Sequence, residues 1–181
     1  MSKNTFVGSE LILGGARSGK SRLAETLAQD SGLQVKYIAT ATPCDDEMSE
    51  RIERHQRQRP AHWQLIEEPY YLADVIRQHS NKETCLLVDC LTLWLNNYLF
   101  QPLDNYSWQQ AKTDFLETLA EAEGRIILVS NEVGQGIVPL GELSRRFVDE
   151  SGWLHQAIAQ QCPRVVFVTA GLPQVLKGPS L

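Results

Sequence analysis

Long apolar runs are missing from this 181-residue sequence, and none approaches the roughly 18 residues that a transmembrane helix needs. Residues 1–10 also lack the basic and then apolar layout of a signal peptide. Basic residues are fewer than acidic ones, 17 against 22, so the formal net charge is -5. This charge argues against general nucleic-acid binding, which needs a broad basic surface. We therefore expect a cytoplasmic protein with no membrane span and no nucleic-acid partner.

Cysteine is also scarce, with four residues and no CxxC pair. Cys85 and Cys90 lie five apart in a predicted strand, so side-chain alternation would place them on opposite faces of a sheet. We therefore expect reduced thiols rather than a disulfide framework. Cys44 lies beside the basic segment described below, but an incidental loop thiol is the simpler interpretation.

A regular alternation of β-rich and helical patterns runs through the chain, without repeats or low-complexity segments. The continuously apolar runs at 86–88 and 126–129 indicate strands of a mostly parallel sheet that helices cover on both faces. Strands are predicted at residues 10–13, 35–39, 64–66, 84–89, 126–130 and 165–169. Helices are predicted at residues 20–29, 45–58, 71–78, 91–99, 108–121 and 142–161.

A phosphate-binding pattern follows the first predicted strand. Residues 14–21 read GGARSGKS, which matches GxxxxGK[ST] between an apolar strand and a helix. Glycines allow a close approach of the backbone, and N–H groups at the helix start donate to phosphate oxygens. The pattern predicts an α/β fold like that of P-loop NTPases, with three layers, as a single nucleotide-binding domain over residues 1–181. Residues 1–9 would be a short extension and residues 178–181 a tail. The predicted phosphate contacts are Gly14, Gly15, Ala16, Arg17, Ser18, Gly19, Lys20 and Ser21.

A magnesium site is predicted beside this loop. Ser21 offers a hydroxyl, and Asp89 ends an apolar strand, which is where such sites place an acidic residue. A structural carboxylate or a helix N-cap is the alternative for Asp89. Ligands of open parallel sheets bind beyond the carboxyl ends of the strands, so the loops after residues 13, 39, 89 and 130 should meet in one crevice.

A basic segment interrupts the acidic chain. Residues 51–59 read RIERHQRQR, with four arginines and one glutamate. His55 shares an apolar helical stripe with Met48 and Ile52, so it should face the body of the protein. The arginines disfavour the imidazolium, which leaves a neutral ring able to attack phosphorus. A buried structural histidine is the alternative.

Five segments carry a resemblance to a known family: GGARSGKS, YIATA, DDEMSERIERHQRQRPAHW, LLVDCLT and NEVGQGIVP. Together they resemble the bifunctional adenosylcobinamide kinase / adenosylcobinamide-phosphate guanylyltransferase family of cobalamin biosynthesis, over roughly residues 11–177. The resemblance implies an enzyme that phosphorylates adenosylcobinamide with ATP or GTP. It further implies transfer of GMP from GTP, through a guanylylated histidine, to adenosylcobinamide phosphate, which gives adenosyl-GDP-cobinamide.

The resemblance also implies roles for particular residues. His55 corresponds to the guanylylated histidine, and Lys20 is the second catalytic residue. Segment 131–136 would shape the acceptor site, although a plain glycine-containing loop is an alternative. Magnesium is the implied cofactor, and a homo-oligomer such as a trimer is expected. Nucleotide contacts beyond the phosphate loop are implied for Thr40, Ala41, Thr42, Gln56, Arg57, Gln58, Arg59, Glu67 and Asp89.

Two other functions remain open at this stage. A small-molecule kinase without guanylyl transfer would use the same phosphate loop. A regulatory GTPase switch would read guanine with an NKxD element after a strand, but Asn81-Lys82-Glu83-Thr84 lacks the aspartate and precedes a strand. The switch is therefore the weaker alternative.

Overall fold

Seven strands and five helices make up the part of the chain that the computed structural model describes, residues 6–42 and 60–181. The strands are β1 (Gly8–Gly14), β2 (Gln34–Ala39), β3 (Gln64–Glu67), β4 (Thr84–Asp89), β5 (Arg125–Asn131), β6 (Arg164–Thr169) and β7 (Leu172–Lys177). The helices are α1 (Lys20–Asp30), α2 (Leu72–His79), α3 (Leu91–Phe100), α4 (Trp108–Glu121) and α5 (Glu142–Gln161).

All seven strands join one sheet in the order β3-β2-β4-β5-β1-β6-β7. The first six along the chain run parallel to their neighbours, and β7 pairs antiparallel with β6. The strands that precede the four predicted site loops, β2, β4, β5 and β1, are direct neighbours. Their carboxyl ends therefore lie side by side at one edge of the sheet.

Helices cover both faces of this sheet, because its inner strands are apolar on both sides. On one face α1 packs against Ile12, Leu87 and Val129. On the other face α2, α3, α4 and α5 pack against a core that includes Leu86 and Val88. Alternate residues of β4 thus enter opposite cores. The prediction of a three-layer, mostly parallel α/β fold is confirmed. Among the described helices, none has the length and apolar character needed to cross a bilayer.

Strand β7 was not predicted from the sequence, and the start of β1 was predicted at residue 10 rather than at Gly8. Ala170 and Gly171 form a tight turn with φ values of 52° and 79°, and the chain returns along the edge of the sheet. The returning strand contains Pro173 and is mostly exposed, so it lacks the apolar alternation from which a strand is predicted. Strand β1 begins at Gly8, inside the segment predicted as an extension. The helix predicted at residues 45–58 lies outside the described residues.

The expectation that Cys85 and Cys90 lie on opposite faces of the sheet is wrong. Cys85, Cys90 and Cys162 are free thiols, as predicted. However, Cys85 and Cys90 both pack in the cluster beside α1. Strand β4 ends at Asp89, so Cys90 no longer follows the alternation that would have turned it to the other face.

A buried charge cluster joins three strands at the amino end of the sheet. Glu10 of β1 accepts hydrogen bonds from Arg125 of β5 on Oε1, at 3.0 and 2.7 Å from Nε and Nη2. Arg164 of β6 donates to Oε2 from Nε at 2.8 Å and from Nη2 at 2.5 Å. All three side chains are at most 1% exposed. The single carboxylate therefore neutralises part of a buried double positive charge.

Substitution of Glu10 by glutamine should destabilise the fold strongly. The amide cannot compensate two buried guanidinium groups, and removal of one partner from such a cluster costs about 3–5 kcal/mol. Urea denaturation should show this fall in the free energy of unfolding, whereas Glu117→Gln, a matched change at an exposed position of α4, should be nearly neutral. A loss below about 1 kcal/mol, typical of exposed pairs, would contradict this interpretation of the cluster.

Candidate functional site

The phosphate loop turns sharply between β1 and α1. Gly19, the N-cap of α1, has the left-handed conformation, with φ 96° and ψ 3°, which glycine adopts without strain. The N–H of Ser18 donates to the carbonyl of Gly15 at 3.2 Å and closes the turn. The N–H groups of Gly19, Lys20 and Ser21 donate to no backbone carbonyl of the described residues. Such donors at the start of a helix form an anion-binding site.

Lys20 bends back over this loop. Its Nζ donates to the carbonyl oxygen of Gly15 at 3.1 Å, and the side chain is only 8% exposed. Burial lowers the pKa of Lys20, while its neighbours Cys90 and Asp89 act in the opposite direction. A bound triphosphate would also favour the charged form. The ammonium group is thus held at the loop before phosphate arrives.

Close backbone contacts support the loop from the side of β6 and β7. A Cβ on Gly14 would lie 2.5 Å from Ser18 Oγ and 2.6 Å from the carbonyl oxygen of Val168, so no larger residue fits there. Gly171, in the turn between β6 and β7, donates its N–H to the carbonyl of Ser18 at 2.8 Å. A Cβ on Gly19 would be 3.2 Å from the Cα of Gly171. The hairpin that the sequence analysis missed is therefore part of the loop's support.

Asp89 lies at the end of β4, close enough to Lys20 to influence its pKa. The hydroxyl of Tyr37 donates to Asp89 Oδ2 at 3.0 Å and orients the carboxylate. The N-cap of α3 is Cys90, so the N-cap alternative for Asp89 is wrong. The buried hydroxyl of Thr40 donates to the Cys90 carbonyl at 2.7 Å and accepts from its N–H at 3.0 Å. The loop after β2 is thereby tied to the end of β4.

The buried side-chain amide of Asn97 joins the loops that follow β2 and β3 at the carboxyl edge of the sheet. Nδ2 of Asn97, on α3, donates to the carbonyl oxygens of Thr40 at 2.8 Å and Pro69 at 2.9 Å. The hydroxyl of Thr42 lies 3.4 Å from Asn97 Oδ1. Ala41 lies between these two threonines and is partly exposed. No sequence pattern pointed to Asn97, because its role depends on where α3 packs.

Glu67 lies at the same edge but far from the phosphate loop. It ends β3, pairs in register with Ala39 of β2, and is exposed. Strands β2, β4 and β5 separate β3 from β1, which corresponds to about 19 Å at the usual strand spacing. Glu67 is therefore not brought together with Lys20, although both lie at the carboxyl edge of the same sheet.

The segment after β5 is anchored on both sides. The N–H of Glu132 donates to the carbonyl of Gly14 at 3.0 Å, and the Glu132 carboxylate accepts from the N–H of Gly134. The buried hydroxyl of Ser130 lies 2.7 Å from Nε2 of His155 on α5. Burial lowers the pKa of His155, which favours the neutral ring. Segment 131–136 thus begins directly beside the phosphate loop.

A polar chain adjoining Lys20 was not identified from the sequence. Asn131 Nδ2 donates to Thr92 Oγ1 at 2.8 Å, and this hydroxyl lies 3.1 Å from the sulfur of Cys90. Burial raises the pKa of Cys90 to about 11, so the thiol is protonated. From the sequence, Asn131 was predicted only as the first residue of segment 131–136, and Thr92 had no role beyond its place in LLVDCLT.

Several predicted site residues lie outside the described part of the chain, and their roles stay predictions. These are His55, Gln56, Arg57, Gln58 and Arg59. Trp63, which follows them, is buried in the cluster beside α1.

Comparison with known proteins places this geometry in a family. The model of the cobinamide kinase / cobinamide phosphate guanyltransferase family matches residues 10–176. The bifunctional adenosylcobalamin biosynthesis protein CobP of Pseudomonas aeruginosa is 60% identical over 176 residues, which cover 95% of this chain and 99% of that protein. The bifunctional adenosylcobalamin biosynthesis protein CobU of Escherichia coli is 38% identical, over 92% of this chain and 98% of that protein.

Similarity to solved structures is limited to the fold. A structure of protein PH0250 from Pyrococcus horikoshii superposes with a TM-score of 0.56 at 11% identity, covering 96% of this chain and 87% of that one. Such a distant match supports the architecture alone, whereas the family match and the relatives cover nearly the whole chain. The family resemblance predicted from five sequence segments is confirmed: this chain belongs to the cobinamide kinase / cobinamide phosphate guanyltransferase family.

Proposed function

We propose that this enzyme phosphorylates adenosylcobinamide with ATP or GTP and then transfers GMP from GTP to the resulting phosphate, giving adenosyl-GDP-cobinamide. The main support for the proposal is a phosphate loop in a chain of this family, with Lys20 bonded to the loop and Asp89 beside it. The N–H groups at the start of α1 donate to no backbone carbonyl within residues 6–42 and 60–181. We also propose a cytoplasmic location, because ATP and GTP are supplied there.

The proposed kinase step takes place on a triphosphate bound at the phosphate loop. The acceptor hydroxyl attacks the γ-phosphorus, the bond to the β–γ bridging oxygen breaks, and the nucleoside diphosphate leaves. Charge spreads over the phosphoryl oxygens in the transition state. The ammonium of Lys20, which donates to the Gly15 carbonyl in this structure, and the N–H groups of Gly19 and Ser21 would stabilise that charge.

Guanylyl transfer needs a different nucleophile at the same triphosphate. We propose that a ring nitrogen of His55 attacks the α-phosphorus of GTP and releases pyrophosphate. An oxygen of adenosylcobinamide phosphate then attacks the same phosphorus and frees the ring. The segment that contains His55 continues from Thr42, which lies at the nucleotide edge of the sheet. Four arginines in residues 51–59 supply charge for phosphate oxygens.

Further nucleotide contacts are proposed along the edge of the sheet. In the loop after β2, Thr40 is held by a buried hydrogen bond, and the hydroxyl of Thr42 lies 3.4 Å from Asn97 Oδ1. Glu67, at the far end of the same edge, would meet the ribose or base rather than the phosphates, given its distance from β1. We propose that segment 131–136 shapes the acceptor site, because it starts beside Gly14.

Magnesium is the proposed cofactor, and Asp89 and Ser21 are the residues that would hold it. Asp89 suits this role because Tyr37 already orients one of its oxygens. When bound, Mg²⁺ would neutralise charge on the phosphate oxygens.

Asp89→Asn should raise the Mg²⁺ concentration needed for half-maximal kinase activity by about tenfold or more, because a neutral amide binds the cation weakly. Titration of Mg²⁺ at saturating ATP measures this change. Asp149→Asn, at an exposed position of α5, serves as the matched control. An unchanged Mg²⁺ requirement in Asp89→Asn would remove Asp89 from the metal site.

We also infer a homo-oligomer, such as a trimer. The segment after the acceptor loop exposes Ile137, Val138 and Leu140 at 99%, 71% and 98%, and Trp153 of α5 is 58% exposed. An apolar surface of this kind favours contact with another subunit. Sedimentation analysis of the purified chain tests the inference, and a monomer at micromolar concentration would oppose it.

Product analysis tests the proposed function directly. The purified protein, adenosylcobinamide and ATP should yield the phosphate, and addition of GTP should convert it to adenosyl-GDP-cobinamide with release of pyrophosphate. Formation of the phosphate without the second product would favour a kinase that lacks guanylyl transfer. A rate of nucleotide hydrolysis that does not change when adenosylcobinamide is added would favour a regulatory GTPase switch instead.

A further inference from the structure

Asn131 lies between the two strands that carry the phosphate loop and Asp89. Strand β5 separates β1 from β4, and Asn131 pairs in register with Gly14. On the β4 side, Asp89 is level with Val129. Ile127 and Val129 face the cluster beside α1, so alternation turns the side chain of Asn131 to the same side, which is the side of the phosphate loop and its helix.

The amide of Asn131 is held in one orientation. Its Nδ2 donates to Thr92 Oγ1 at 2.8 Å and lies 4.0 Å from the sulfur of Cys90. The backbone N–H of Asn131 points to the same hydroxyl at 3.5 Å. Thr92 and Cys90 are each 5% exposed, so solvent does not compete for these contacts. The donor group of the amide is therefore used within the protein.

The carbonyl oxygen of this amide, in contrast, forms no hydrogen bond within the described residues. Within residues 6–42 and 60–181, Asn131 Oδ1 accepts no hydrogen bond, and the side chain is partly exposed. A carbonyl oxygen needs a donor as its partner. Phosphate oxygens of a bound nucleotide are acceptors, so they cannot serve. A donor group of a second substrate bound beside the triphosphate, such as the hydroxyl of the phosphoryl acceptor, is a complementary partner.

We propose that Asn131 Oδ1 accepts a hydrogen bond from the hydroxyl of the phosphoryl acceptor. This bond orients the hydroxyl so that a lone pair of the hydroxyl oxygen points at the γ-phosphorus. This inference rests on the proposed kinase activity and adds a catalytic residue to it. Thr92 is the positioning residue, because it fixes which end of the amide faces the nucleotide. The amide does not take the proton, which passes to the transferred phosphoryl group or to water as the new O–P bond forms.

Asn131→Ala tests the proposal. The kcat for phosphorylation of adenosylcobinamide should fall by about 10²-fold, since a misplaced nucleophile loses about that much. The Kd for ATP should stay within about threefold. Labelling of the protein by GTP carrying label at the α-phosphate should persist, because this reaction uses the same triphosphate site without an acceptor hydroxyl. Asn131→Asp, which keeps an acceptor oxygen, should retain more kinase activity than Asn131→Ala.

Thr92 variants separate orientation from packing. Thr92→Val removes the hydroxyl at nearly constant volume and should lower the same kcat by about tenfold. Thr92→Ser restores the hydroxyl and should recover most of that loss. If Asn131→Ala or Thr92→Val loses nucleotide binding and GTP labelling as strongly as it loses kcat, the replaced residue has a structural role. That result would overturn the proposal. A raised Mg²⁺ requirement in Asn131→Ala would point to a metal-bound water as the partner and would overturn it as well.

The controls also separate this inference from the proposed function. A wild-type protein that does not phosphorylate adenosylcobinamide would overturn both. A wild-type protein that is active, with an undiminished kcat in Asn131→Ala, would overturn only the role of Asn131.

Discussion

Lys20→Ala is expected to lower the kinase kcat by about 10³-fold or more, because the variant loses a preorganised charge at the transferred phosphoryl group. The ammonium is buried against the Gly15 carbonyl, so water cannot reproduce its position in the variant. Phosphorylation of adenosylcobinamide by ATP, followed by product analysis under saturating substrate, measures the loss.

Arg22→Ala is the matched control for Lys20→Ala. It removes one positive charge from the same helix, but Arg22 is exposed and lies outside the predicted phosphate loop, residues 14–21. Its kinase activity should stay within about threefold of wild type, as expected for an exposed position. A similar, small effect in both variants would mean that Lys20 does not act on the transferred phosphoryl group.

His55→Ala is expected to abolish guanylyl transfer, with a loss on the order of 10⁴-fold or more, as for other removed nucleophiles. The kinase activity of this variant should remain within about threefold, because γ-phosphoryl transfer uses the acceptor hydroxyl rather than the imidazole. The two products, adenosylcobinamide phosphate and adenosyl-GDP-cobinamide, are measured separately in the same reaction.

His62→Ala is a suitable control, since His62 is an exposed histidine close in sequence. It should keep both activities. Retention of guanylyl transfer by His55→Ala would remove the histidine from the mechanism. Equal loss of both activities in His55→Ala would instead indicate that His55 supports the binding of nucleotide rather than one reaction.

The sequence was sufficient to predict the parts of the fold that depend on local pattern. Runs such as 86–88 are apolar throughout because both faces of β4 are buried, and this predicted a covered parallel strand. The phosphate loop was predictable for a similar reason, since Gly19 must adopt a left-handed conformation that few residues tolerate. Helix α4 matched its predicted bounds and begins with a capping box at Ser107.

Features that depend on the meeting of distant segments were not predictable. Strand β7 is an exposed edge strand that starts after the Gly171 turn, so its residues show no apolar alternation. The contact between Asn131 and Thr92 joins residues 39 apart in sequence. It exists only because α3 begins where β4 ends, beside the end of β5. The support that Tyr37 gives to Asp89 likewise depends on the pairing of β2 with β4.

We propose that His55 attacks the α-phosphorus of a triphosphate held at the phosphate loop. This step is tested by incubating the purified protein with GTP labelled at the α-phosphate, followed by peptide mapping. We expect acid-labile, base-stable label on the peptide that contains His55, and no label from GTP marked at the γ-phosphate. Label on a different peptide, or no covalent label under conditions where adenosyl-GDP-cobinamide forms, would show that His55 is not the nucleophile.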